Sequence, residues 1–256
     1  MHGPGLLVLL FATSLVAGFV DSIAGGGGLI TLPVLLNCGL DPRLALGTNK
    51  LQAVFGSGSA AWHYAAAKTV PLRDCCWGFV ISLIGAALGS LAVRELDREL
   101  LRRAIPLLLI AVALYTLFKP RLGAEDIHPR MQRGWFDLIF GLSLGFYDGF
   151  FGPGTGTFWT MAFMLGLGFN MTKATGYTKV MNFGSNLSSL AVFLWTGNAV
   201  FLWGLIMGVG QLVGARIGAR MVITRGTKFI RPVFLIVVFA LTLKLIYDGY
   251  WKNLSH

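Results

Sequence analysis

Charge is what this chain has least of. Only 12% of its 256 residues are Asp, Glu, Lys or Arg, about half the share usual in a soluble domain. Three cysteines, two of them the adjacent Cys75 and Cys76, give neither a C-x-x-C redox pair nor zinc-ligand spacing. An odd count also argues against a disulfide framework, so they read as small apolar filler. There is no Walker A pattern or other nucleotide-binding signature, and no cofactor or metal is expected. Ser57 in "FGSGSA" lacks the glycine two positions earlier that an intramembrane serine protease motif needs, because Phe55 stands there. No catalytic residues are assigned.

What is abundant is apolar sequence. Hydrophobic residues make up 55% of the chain and the mean hydropathy is +0.70, which reads as a polytopic membrane protein with the bilayer as its solvent. A net charge of +10 would suggest nucleic acid in a soluble protein. Here Lys and Arg fall mostly between apolar runs, where they set orientation and meet anionic headgroups, so no nucleic-acid partner is expected. No Lys or Arg precedes the apolar residues 6–20, and the pattern recurs deep in the chain, so this stretch reads as a retained span rather than a signal peptide.

Runs of about 20 residues, enough to cross a bilayer, lie near 5–24, 44–66, 74–93, 99–118, 135–151, 173–196, 199–220 and 229–249. Shorter runs at 29–38 and 156–168 fit half-helices. The polar stretch 119–134 divides a first unit, 1–118, from a second, 135–256, and the two resemble each other. Asp21 maps onto Asp148 at an offset of 127; at an offset of 129, Gly47, Lys50, Gly85, Gly89 and Arg102 map onto Gly176, Lys179, Gly214, Gly218 and Arg231. The expected fold is therefore an all-α membrane protein of about eight transmembrane helices in two homologous four-span repeats, each with a glycine-broken half-helix. The loops around 94–103 and 216–231 hold nine Lys or Arg. Placing both in the cytoplasm makes the repeats parallel, but puts the basic linker outside against the same tendency. Inverted repeats stay open. Trp62, Trp135, Trp195 and Trp251 near span ends read as interfacial anchors.

The glycines of "DSIAGGGGLITLP" and "DGFFGPGTGTFWT" break helices at membrane depth, where bare backbone must be buried in protein or line a wet cavity. Each half-helix then starts with unpaired N–H groups and partial positive charge, and glycine lets an anion come close. Paired broken helices in two repeats are a recurring form of transporter site. Glycines also allow close helix packing, the simpler reading of Gly85/Gly89 and Gly214/Gly218. Asp21, Lys50, Asp148 and Lys179 lie inside apolar segments, where a charge must be paired or face a cavity. The candidate substrate-binding set is Gly26, Gly27, Gly28, Asn49, Lys50, Gln52, Gly154, Thr155, Gly156, Thr178, Lys179, Asn182 and Asn186. Asp21 and Asp148 hold the lysines, cap backbone groups or carry a coupling proton. Arg216, Arg220 and His63 read as interfacial.

"GFVDSIAGGGGLITLP" with "ALGTNKLQAVFGSGSAAWHY", and their second copies "GFYDGFFGPGTGTFWT" and "ATGYTKVMNFGSNLSSL", resemble the sulfite exporter TauE/SafE family over essentially the whole chain. That resemblance implies a multi-pass transporter of the bacterial inner membrane. It implies as cargo a small sulfur-containing anion such as sulfite, thiosulfate or sulfoacetate. The residues alone give only a small anion, with protons as the expected coupling partner and a homo-oligomer left open. The competing classes are an intramembrane enzyme and a non-transporting assembly factor.

Overall fold

The computed structural model describes residues 3–117 and 125–225. The expected span at 229–249, Arg231 and Trp251 lie outside the described residues, among which there are nine α-helices and no strand. Helix α1 (Pro4–Ala24) opens on a proline, whose fixed φ and missing N–H suit a first helical position. It stops at Gly25, where φ is +71° and the N–H closes back on the Asp21 carbonyl. The half-helix α2 (Gly27–Asn37) follows at once. Asp41 caps α3 (Pro42–Ala66) by accepting from the Arg43 N–H at 3.0 Å. A 3-10 turn, Leu72–Cys75, leads into α4 (Cys76–Glu95), followed by α5 (Arg98–Leu117). The helices that follow show the same order of long and short elements. Helix α6 (Arg133–Phe150) ends at a glycine break, half-helix α7 (Thr155–Gly166) follows, and α8 (Met171–Trp195) and α9 (Phe201–Arg225) complete the described chain. Asn170 caps α8 as Asp41 caps α3, accepting from the Lys173 N–H at 3.0 Å.

Helix directions follow from which small residues meet which backbone. Gly210, Gly214 and Gly218 of α9 face successive turns of α1, at Phe11, Leu15 and Phe19, so α1 and α9 run the same way. Leu51, Phe55 and Ser59 of α3 meet Gly204, Gly208 and Leu212, so α3 runs with them. Two consecutive helices that run in the same direction need a return between them, and α2 is that return. In a second set of helices Gly145 and Gly149 of α6 meet Ser82 and Ala86 of α4. Phe79 and Leu83 of α4 meet Gly184 and Ser188 of α8, so α4, α6 and α8 share one direction and α7 is a second return. Between the sets, Gly47, Gly58 and Tyr64 of α3 meet Phe193, Phe183 and Gly176 of α8. The numbering runs backwards, so α3 and α8 are antiparallel.

Gly85 and Gly89, with Gly214 and Gly218, are the packing glycines the sequence suggested. A Cβ on Gly85 would lie 2.6 Å from the Leu142 carbonyl oxygen. Close backbone approach is how helices gain contact where burial of apolar surface gives no net drive. Each glycine pair joins helices of different units, α4 to α6 and α9 to α1.

Three described helices are long and apolar enough to cross a membrane by length and composition: Pro4–Ala24, Leu72–Glu95 including its 3-10 turn, and Phe201–Thr224. Leu9, Val16, Ile84, Leu88, Ile139 and Val209 are exposed on the outside of the bundle, as lipid-facing residues should be. Trp62, Trp77, Trp135 and Trp195 are all more than 60% exposed at helix ends, where amphipathic rings meet headgroups. Trp77 was not among the expected anchors. Arg216 and Arg220 are exposed, in keeping with the interfacial reading. His63 bonds its own helix, with Nδ1 2.7 Å from the Ser59 carbonyl. All three cysteines are free thiols.

Candidate functional site between two hairpin tips

The two returns, α1–α2 and α6–α7, touch at their tips. A Cβ added at Gly25 would lie 2.5 Å from the Gly156 Cα, and one at Gly156 would lie 2.6 Å from the Gly25 Cα. Gly28 packs likewise on Pro153. Thr157 of the second tip donates to the carbonyls of Ala24 and Gly25 in the first, at 3.0 and 2.6 Å. Backbone that leaves its helix at this depth is thus satisfied by the opposite hairpin.

The two lysines and two aspartates are paired across the tips. The Lys50 ammonium of α3 donates to Asp148 of α6 at 2.7 Å and to Asn186 at 3.1 Å. The Lys179 ammonium of α8 donates to Asp21 of α1 at 3.0 Å. The α3 lysine is therefore neutralised from α6 and the α8 lysine from α1, and both lysines are buried, which rules out snorkelling to an interface. Burying one such ion unpaired would cost several kcal/mol, roughly the magnitude set by its lost hydration.

The two carboxylates live in different surroundings. Asp148 accepts from Lys50 and, at 3.2 Å, from the Thr155 hydroxyl on one oxygen, and from the Ser185 hydroxyl on the other. Its side chain is 4% exposed. Asp21 accepts from the Gly26 and Gly27 N–H groups at 3.0 and 3.1 Å on one oxygen and from Lys179 on the other. Its side chain is 22% exposed. Asp21 thus caps the half-helix that begins beside it, occupying the bare N–H groups the glycine stretch offers.

A cavity of about 30 Å³ lies where the tips meet, room for about two waters. Every residue named above for binding or coupling lines it except Thr155, Thr178 and Lys179. Thr155 bonds Asp148. The Thr178 hydroxyl lies 3.2 Å from that of Thr160, and Lys179 reaches the cavity through Asp21. Asn49 accepts from Thr31 at 2.6 Å and from Gln52 at 2.8 Å. The Gln52 Oε1 and Asn182 Oδ1 oxygens are buried with no partner among the described residues. Sequence reading missed Gln211, Gly152 and Ser185. Gln211 was visible as a lone amide amid the apolar residues of α9; Gly152 stood in the second glycine stretch but outside the candidate set, and its use is to leave room for the Lys50 ammonium.

A larger cavity, about 810 Å³, opens away from the ion pairs, where residues 126–133 strap the α7–α8 turn. Ile127 and Arg130 donate backbone N–H groups to Gly168 and Gly166 at 2.7 and 2.9 Å. The Arg133 guanidinium lies over Phe163, Phe169 and Tyr177, 5.1–5.9 Å from the ring centres. Partial burial pulls the Asp126 carboxyl up, but the Asn170 N–H and Lys173 outweigh it and hold the group below its ordinary value. This cavity shares Tyr177 and Lys173 with α8, the helix that carries Lys179 to the tips. Its cations are mostly spent on neighbouring acids, Arg133 on Asp137 and Lys173 on Asp126, so the buried tips make the better candidate site.

Paired hairpin tips around matched ions belong to transport rather than catalysis, and comparison with known proteins agrees. The family model described as "Sulfite exporter TauE/SafE" matches residues 10–245. The chain belongs to the sulfite exporter TauE/SafE family. Within that family it is 46% identical over 249 residues to a "Probable membrane transporter protein" of Haemophilus influenzae, covering 97% of this chain and 98% of that one. It is 43% identical over 256 residues to the "Probable membrane transporter protein YfcA" of Escherichia coli K12, covering 100% and 95%. "Sulfite exporter TauE/SafE family protein 3" of Arabidopsis thaliana is 26% identical over 112 residues, 43% of this chain and 24% of the plant one. No solved structure matches. As a TauE/SafE protein the chain is a membrane transporter and not an enzyme.

Proposed function

We propose that this TauE/SafE transporter moves a small sulfur-containing anion, such as sulfite, thiosulfate or sulfoacetate, across the bacterial inner membrane. The anion binds between the hairpin tips. The observation that carries the reading is the reciprocal pairing of Lys50 with Asp148 and Lys179 with Asp21 around a small polar cavity. Two buried ammonium groups, amide side chains and half-helix N-termini together offer donors to an oxyanion. That the anion contains sulfur rests on the family.

The architecture behind this proposal is two homologous units, 1–118 and 135–256, joined by 119–134, with eight long membrane helices and two half-helices. The antiparallel relation of α3 and α8, which hold equivalent places, supports inverted rather than parallel repeats. In an inverted pair the units can exchange conformations and expose one site alternately to each face. Protons are the proposed coupling ion. An enzyme reading draws no support from Ser57, whose hydroxyl is spent on its own helix at the Ala53 carbonyl, 2.7 Å away.

A thermal-shift panel on the purified protein tests the substrate class. Sulfite, thiosulfate or sulfoacetate should raise the melting temperature by several degrees at millimolar concentration, with acetate and taurine giving less. Stabilisation by simple carboxylates alone would replace the sulfur anion with a carboxylate.

A further inference from the structure

Asp21 holds the three donors that an anion would want: two half-helix N–H groups and a buried ammonium. A carboxylate is itself an oxyanion, so the protein supplies its own competitor. The charge sum of the tips is also complete without substrate, since Lys50 and Lys179 balance Asp148 and Asp21. Adding an anion to this largely buried region would leave a net negative charge where charge is costly.

We propose that the transported anion binds by displacing the Asp21 carboxylate, and that Asp21 takes up one proton from solution in the same step. This rests on the tips being the transport site. The bonds from Lys179, Gly26 and Gly27 pass from the carboxylate to the incoming oxyanion. One proton adds to an Asp21 carboxyl oxygen, so one unit of the incoming anion's negative charge is offset at the tips. The neutral acid then needs an acceptor for its O–H, and Gln52 Oε1 and Asn182 Oδ1 line the same cavity without donors.

Asp21 rather than Asp148 is the group displaced. Both Asp148 oxygens are held by side chains from three helices, and removing it would strip the buried Lys50 of its only counter-ion among the described residues. Asp21 has one side-chain partner and is the more exposed of the two. Its other charged neighbours are few. Lys50 and Asp148 lie across the cavity, α9 presents the neutral Gln211, and the α9 arginines Arg216 and Arg220 face outward. From α3 the Tyr64 hydroxyl bonds the Ser22 carbonyl at 3.1 Å. No histidine lines the cavity.

The test is calorimetric titration of the full-length protein with thiosulfate and with sulfoacetate, whose charges stay constant from pH 6 to 8. Two buffers of different ionisation enthalpy give the number of protons bound. The expected result is uptake of about one proton per anion, with affinity falling towards tenfold per pH unit, as linkage of one proton requires. Asp21→Asn should bind the anion with no proton uptake and no pH dependence, while Asp148→Asn should still take up about one proton for each anion it binds. Binding by the wild type without proton uptake overturns the displacement but leaves the transport site standing, as does uptake that persists in Asp21→Asn. No binding of either anion at any of these pH values overturns both.

Discussion

Lys50→Met is expected to destabilise the protein by about 3–5 kcal/mol, because it leaves Asp148 buried and charged without its counter-ion. Asp148 would keep only the Thr155 and Ser185 hydroxyls, and neutral donors stabilise a carboxylate less than an ammonium does. Adding Asp148→Leu to the same protein should restore most of the loss, since two apolar residues of similar size remove both charges together. Melting temperatures of the two variants in one detergent decide the matter. If the single variant melts with the wild type, the pair is not what holds α3 to α6. If the double variant stays as unstable as the single, the loss comes from packing around Lys50 instead.

Gly25→Ala should be as damaging for a different reason. Gly25 has a φ of +71° and abuts the backbone of Gly156 and Thr157. An alanine there must take up a left-handed conformation and also push back a chain that cannot rotate out of the way, together roughly 3–5 kcal/mol. Gly197 is the control. Its φ is +70°, but nothing lies within 4 Å of where its Cβ would be, so Gly197→Ala should show only the conformational part, about 1–2 kcal/mol. The yield and melting temperature of the folded variants separate the two. Equal effects would mean that the tips do not rely on backbone contact.

The half-helices were readable in advance because glycine and proline punctuate sharply. Observed starts at Gly27 and Thr155 lie within two residues of the expected 29 and 156. The pairing scheme was not readable. Asp21 lies four residues before the glycine run and Lys50 about two turns into α3, and nothing along the chain says that Asp148 serves Lys50 and Asp21 serves Lys179. That choice depends on helix direction. The basic loops pointed towards parallel repeats while the linker pointed the other way, and the proposed inverted arrangement draws its support from the order of contacts between α3 and α8. The lysines illustrate the same limit. A lone lysine near a helix start is compatible with snorkelling from composition alone, whereas burial of both ammonium groups is a property of the assembled tips.

Glycine shows how one residue type served several ends. Gly85 and Gly214 bring helices together, Gly25 and Gly156 bring tips together, and Gly26 and Gly27 give their N–H groups to Asp21. Gly154 was expected to leave room for an anion, yet a Cβ there would collide with Val112 of α5. Sequence periodicity could find the breaks but not which neighbour each open side faces.

The central claim is that an anion crosses at the tips by using the Lys179 ammonium. Uptake into proteoliposomes containing Lys179→Met with Asp21→Asn tests it, because removing both charges leaves no unpaired ion to unfold the protein. The labelled substrate is the anion that most stabilises the wild type in the thermal-shift panel. The account predicts a folded double variant, melting within a few degrees of the wild type, with uptake no faster than empty liposomes. Uptake at the wild-type rate by that variant would contradict it and move the site away from the tips.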